Sequence, residues 1–189
     1  SISPDPALMF KRLQALVPTA DEVTVIYSDQ DHWQQIERAR ATAGDYGIKL
    51  NAIAENTNPE TGANAYHQLI KSDFSGTDAV WLLQGDRALS ERIVLYNLLK
   101  ASWNHNVILF SSNPSYVTKG ALFALYPDNE AIGMDLVEKL QVMRNGGKDS
   151  ISHTTNVLIA VNIRTAEHLE LNISRARERE FDLVFPQRP

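Results

Sequence analysis

Cysteine is absent from all 189 residues. Without thiols there are no disulfides, thiolate metal sites or cysteine nucleophiles. The absence suits an oxidising compartment, where a stray thiol is a liability, although many cytosolic domains share it. Long apolar runs are also missing: nothing approaches the ~18 apolar residues that cross a bilayer. Positive charge is outnumbered, with 18 Lys and Arg against 23 Asp and Glu, a net charge of −5 at pH 7. The average surface attracts neither nucleic acid nor an anionic membrane, so no nucleic-acid partner is expected. Phosphate-cradling motifs are absent as well. No G-x-G-x-x-G follows a predicted strand, and no G-x-x-x-x-G-K-[ST] occurs. His32, His67, His105, His153 and His168 show no helical metal-ligand spacing. Neither a metal nor a cofactor is expected.

What is present suits one compact domain. Hydrophobic residues make up 43% and charged residues 22%, ordinary values for a globular protein. The length is enough for a sizeable core. After a loop-like SISPDP, Pro6–Val17 reads as a helix that Asp5 can cap and Pro18 ends. VTVIY (Val23–Tyr27) is β-branched and aromatic, and AVWLL (Ala79–Leu83), VILF (Val107–Phe110) and ALFAL (Ala121–Leu125) are continuous apolar runs bounded by turn residues. Such runs suit strands covered on both faces. Ile48–Ala54 alternates apolar and polar residues, as a strand nearer an edge does. Helices are expected over 32–46, 61–72 and 89–103, with Asp31 capping the first of them. Ile132, Leu136, Leu140 and Met143 mark one face of a further helix, which Asn145-Gly146-Gly147 stops.

The order β-α repeated gives an α/β fold: a doubly wound, mainly parallel sheet of flavodoxin-like order 2-1-3-4-5, flanked by helices. Residues 1–150 form this lobe. Residues 151–189 form a tail of strand, short helix and strand, packing on the same domain or on a partner. Within the tail, Val157–Val161 and Phe181–Phe185 are the strands and Thr165–Leu171 the helix. The mixed-sign run Ser174–Glu180 is a solvated helix face.

In open α/β sheets ligands bind outside the carboxyl ends of the strands. Those ends carry Ser28, Asp29 and Gln30 after the first strand and Gln84 and Asp86 after the third. Ser111, Ser112 and Asn113 follow the fourth, and Asp128 follows the fifth. Short polar side chains and free backbone N–H groups there suit a small polar ligand. The same residue types also cap helices and make turns. His32 lies near this rim beside Trp33, which either stacks a flat ligand or packs on its neighbours. A flavodoxin would need a glycine- and hydroxyl-rich loop where this chain has SDQDHW. A receiver domain would need a lysine where it has Tyr126-Pro127.

Three stretches carry a family resemblance: ALVPTADEVTVIYS near the start, KGALFALYPDNEAIGMDLVEKLQVMRNGGK (Lys119–Lys148), and VNIRTAEHLEL (Val161–Leu171). Together they resemble the ABC-transporter substrate-binding proteins of the tryptophan/tyrosine-transport-like group. Gly120, Ala121, Leu122, Asp128, Gly133, Asn145, Gly146, Gly147, Asn162 and Ala166 match that pattern as written. The family's usual glycine in the last motif is Glu170 here, and its P-x-D-N after the third strand is Gln84-Gly85-Asp86-Arg87.

The resemblance implies a type I periplasmic-binding-protein lobe, the one that normally comes second, presenting one wall of a ligand cleft. It implies a non-catalytic module for an amino-acid-like ligand. It also implies a periplasmic or secreted location with the signal peptide removed. Its candidate partners are a membrane permease, an envelope protein, or a second copy in a homodimer. The alternative is a ligand-free interaction or sensory protein that regulates an envelope partner through the strand-end rim.

Overall fold

Side-chain alternation along the strands sets the architecture of the computed structural model, which describes residues 3–55, 58–144 and 156–187. The strands are β1 (Glu22–Ser28), β2 (Lys49–Glu55), β3 (Ala79–Leu82), β4 (Ile108–Ser111), β5 (Phe123–Pro127), β6 (Val157–Asn162) and β7 (Leu183–Phe185). They form one seven-stranded sheet in the order β2-β1-β3-β4-β5-β6-β7. The first five strands are parallel and have the order expected from the sequence. β6 runs antiparallel to β5, and β7 parallel to β6.

Helices cover both faces: α1 (Pro6–Leu16), α2 (Asp29–Ala43), α3 (Pro59–Lys71), α4 (Arg87–Ser90), α5 (Arg92–His105), α6 (Pro114–Lys119), α7 (Asn129–Arg144), α8 (Ile163–His168) and α9 (Arg175–Glu178). Val23, Val25, Ala79, Trp81, Ile108, Phe110, Phe123 and Leu125 point to the face under α1 and α2. Ile26, Val80, Leu82 and Leu109 point to the face under α3, α4 and α5. Residues two apart share a face of a strand, so the unbroken apolar runs fill two cores at once.

An aromatic ladder crosses the first face. Trp81, Phe110 and Phe123 are register neighbours on β3, β4 and β5. Their rings stack at 6.1 Å and 5.2 Å, while Phe10 of α1 meets Trp81 edge-on at 5.9 Å. Such pairs add about 0.5–1.5 kcal/mol each beyond the area they bury.

Several boundaries depart from the sequence reading. β1 passes directly into α2, whose cap position is Ser28, so Asp31 is not a cap. No polar turn separates them, because Asp29 and Gln30 already lie in the helix. The apolar stretch 89–103 is not one helix. Glu91 takes an extended conformation (φ −76°, ψ 117°) and divides α4 from α5. The helix expected over 61–72 begins earlier, with Pro59 as the opening residue of α3, capped by Asn58. The 145–147 stop, Asn56, His153 and the side chains of Leu136 and Leu140 lie outside the described residues.

Glu170 sits at φ 57°. It closes α8 in a Schellman motif, with Leu171 N–H donating to Ala166 O at 2.9 Å and Glu170 N–H to Glu167 O at 3.1 Å. This is a position glycine favours, where the family resemblance also places one.

Candidate functional site

β1 and β3 are neighbours in the sheet, but their following helices cover opposite faces, so a crevice opens where the two strands end. A recess of about 30 Å³ occupies that crevice. Its walls include Ser28, His32, Asn58, Gly62, Gly85 and Asp86. It adjoins an open groove of about 400 Å³ lined by Pro4, Gln34, Gln35, Arg38 and Gln84, and the two share Asp31, His32, Gly85 and Arg87.

Local structure explains each placement. Because α2 begins without a turn, His32 stands one helical turn beyond Ser28 and on the same side. His32 is buried, and its Nε2 lies 3.0 Å from the Gln84 carbonyl. A carbonyl only accepts, so Nε2 carries the proton and donates. In the neutral ring Nδ1 is then a bare acceptor, and it is buried without a partner. Ser28 Oγ is likewise buried without a partner and makes no capping bond. Two unpaired polar atoms thus belong to side chains lining one recess. Most buried polar groups are paired, so such atoms signal a missing partner.

Asp86 has a different part. Its Oδ1 accepts from Ala88 N–H at 2.9 Å and Leu89 N–H at 3.3 Å, capping α4. Its Oδ2 accepts from the Tyr66 hydroxyl at 2.7 Å. Burial pushes the Tyr66 phenol well above its usual range, and the Asp86 carboxylate adds to the shift. Tyr116 is raised by burial and then by the same carboxylate. Gly62 gives α4 room: a Cβ there would lie 2.9 Å from Ala88 Cβ. At the mouth, Arg87 pairs with Asp31 at 3.6 Å.

The remaining rim residues lie as follows. Asp29 and Gln30 are exposed on the first turn of α2. Ser111 is fully buried. It donates to Leu82 O at 2.7 Å and accepts from Asn113 N–H at 3.0 Å. Ser112 is 2% exposed and its Oγ has no partner. Asn113 caps α6 through Ser115 N–H, and Asp128 caps α7 through Glu130 and Ala131 N–H. The structure therefore brings Ser28 and Asp86 to one recess, with Gln84 at its edge. Ser111, Ser112, Asn113 and Asp128 stand along neighbouring strand ends. Tyr66, Gly62 and Arg87 were not legible as site residues, because the packing of α3 against α4 brings them together. The i, i+4 spacing of Ser28 and His32 was a usable signal once the helix is started at residue 29. Among the described residues no group of His, Asp and Glu could hold a metal ion.

No protein-family model matches the sequence. No curated protein matches it either. Solved structures do share its fold. A conserved domain protein from Vibrio cholerae superposes with a TM-score of 0.69 at 17% identity, over 96% of this chain and 60% of that one. An ABC domain in complex with L-Trp from Streptococcus pneumoniae gives the same TM-score, identity and coverage. A ligand-free, open substrate-binding protein with adhesive properties from Clostridium difficile gives 0.67 at 15% identity, over 95% and 59%. Transcription regulators of the LacI family share the fold at 0.55. The chain spans about 60% of the length of the first three of these structures, and its fold is that of a single periplasmic-binding-protein-like lobe.

Proposed function

We propose that the chain is a non-catalytic solute-binding module of the ABC-transporter substrate-binding type, taking a small polar, amino-acid-like ligand at the strand-end rim. The observation that carries this reading is the recess between β1 and β3 with its unpaired Ser28 Oγ and His32 Nδ1. A ligand hydroxyl or ammonium entering there would donate to Nδ1 and pair with the serine. Gln84, Asp31 and Arg87 would meet the rest of it at the mouth. The fold likeness to an ABC domain in complex with L-Trp and to a substrate-binding protein supports the reading. An envelope location and delivery to a permease follow from the same proposal.

The recess has room for one functional group, not a whole ligand. High affinity then requires a second wall, supplied by another lobe, a second copy or an envelope protein. Thermal unfolding of the whole chain should be followed against amino acids, short peptides and nucleobases. A true ligand at 100 times its Kd adds about 2.7 kcal/mol of stability, and Ser28→Ala should reduce that gain. A flat response to every compound would overturn the reading in favour of a ligand-free interaction protein. The feature that favours this second reading is Trp33, 55% exposed on the first turns of α2 beside the rim.

A further inference from the structure

The opposite rim of the sheet carries a second groove, of about 200 Å³, between the end of α5, α6 and α8. Its chemistry differs from the strand-end crevice. Lys119 and Arg164 both line it, and no Asp or Glu does. Three other grooves each include an acid: Asp31 and Asp86 in the recess, Asp31 in its neighbour, Asp78 and Glu170 in a third. In a chain of net charge −5 this is a local reversal of sign. Among the described residues no carboxylate pairs with Lys119 or Arg164. Lys119 Nζ is held 5.6 Å from the centre of the Tyr116 ring.

The floor is already satisfied. Asn162 Nδ2 donates to Val117 O at 2.8 Å, and Asn162 Oδ1 accepts from Thr165 N–H at 3.1 Å. Thr165 Oγ1 donates to Gly120 O at 3.0 Å. The recognition elements left are two cations and an aromatic wall. In that wall Trp103, 43% exposed, stacks on His168 at 3.7 Å with the rings 8° from parallel. His168 Nε2 lies 2.8 Å from the Trp103 carbonyl, so the pair is pinned as well as stacked. Leu99, Val107 and Leu169 complete the apolar side.

We propose that this groove is a second binding site, for a small flat organic anion: an aryl phosphate or aryl carboxylate. Lys119 and Arg164 hold its charge, and the Trp103 side takes its ring. The two cations give the attraction, which salt weakens, and the apolar wall selects a ring over a bare ion. The site lies at the opposite end of the strands from the solute recess and does not depend on it.

The test is titration of the whole 15N-labelled chain with phenyl phosphate, benzoate, inorganic phosphate and benzyl alcohol. The two aryl anions should shift the Trp103 indole and Gly120 amide signals saturably. Inorganic phosphate should bind at least about tenfold more weakly, and benzyl alcohol not at all. Replacing both cations, Lys119→Gln with Arg164→Gln, should weaken aryl-anion binding by at least about tenfold. Ser28→Ala should leave it unchanged, which separates this site from the recess. Inorganic phosphate binding as well as phenyl phosphate would overturn the proposal. So would undiminished binding by the double variant, or shifts confined to the Ser28 and His32 region.

Discussion

Asp86 shows how one side chain at the rim can serve the scaffold. Its carboxylate caps α4 and receives the Tyr66 hydroxyl inside the protein. Tyr66→Phe removes that donor and leaves Oδ2 without its partner, so stability at pH 7 should fall by about 2 kcal/mol. The pH dependence has a definite sign. The phenol is raised in the folded state, so above pH 10 the unfolded chain loses a proton that the folded chain keeps. Stability therefore declines as pH rises past 10. Urea unfolding across that range should show the wild type declining more steeply than Tyr66→Phe, the two curves converging. Glu170 is a second residue-scale case. A non-glycine residue in the left-handed region is strained, while glycine adds unfolded-state entropy. Glu170→Gly should gain about 0.5–1 kcal/mol net, read as a higher midpoint in denaturant. Asn106, also left-handed at φ 57°, should gain less on change to glycine, because asparagine tolerates that region.

Among the elements, α3 and α4 set the recess wall. Alanine is normally preferred to glycine inside a helix, by about 0.8–1 kcal/mol. At Gly62 the preference is reversed, because a Cβ would meet Ala88 Cβ at 2.9 Å. Gly62→Ala should destabilise the fold by about 1–2 kcal/mol. It should also displace α4 and weaken any ligand held beside Ser28; a crystal structure with Asp86 unmoved and an unchanged midpoint would refute this. The break at Glu91 belongs to this scale too. The apolar-rich stretch 89–103 looks like one helix, but Asp86 caps a short α4 and the chain turns at Glu91 before α5 begins. Strand placement was easier to read. VTVIY, AVWLL, VILF and ALFAL each fill both faces, which leaves few alternatives to a covered parallel strand.

Across the whole molecule, the sequence by itself determined the strand set, the 2-1-3-4-5 order and the polar character of the strand ends. Those follow from local periodicity, turn residues and the handedness of β-α crossovers, all carried by neighbours in the chain. What only the tertiary structure decided is which of those polar residues have spare bonding capacity. Ser111, Asn113, Asp86 and Asp128 resemble ligand groups in sequence, but Asn113, Asp86 and Asp128 cap helices, Asp86 also receives the Tyr66 hydroxyl, and Ser111 bonds Leu82 O and Asn113 N–H. Ser28 and His32 look no more exceptional in the chain, yet both line the recess with an atom unpaired. The groove of Lys119 and Arg164 was equally invisible, because three helices assemble it. A hydrogen-bonding group is defined by what surrounds it in space, and burial and partner choice depend on contacts between residues far apart in sequence.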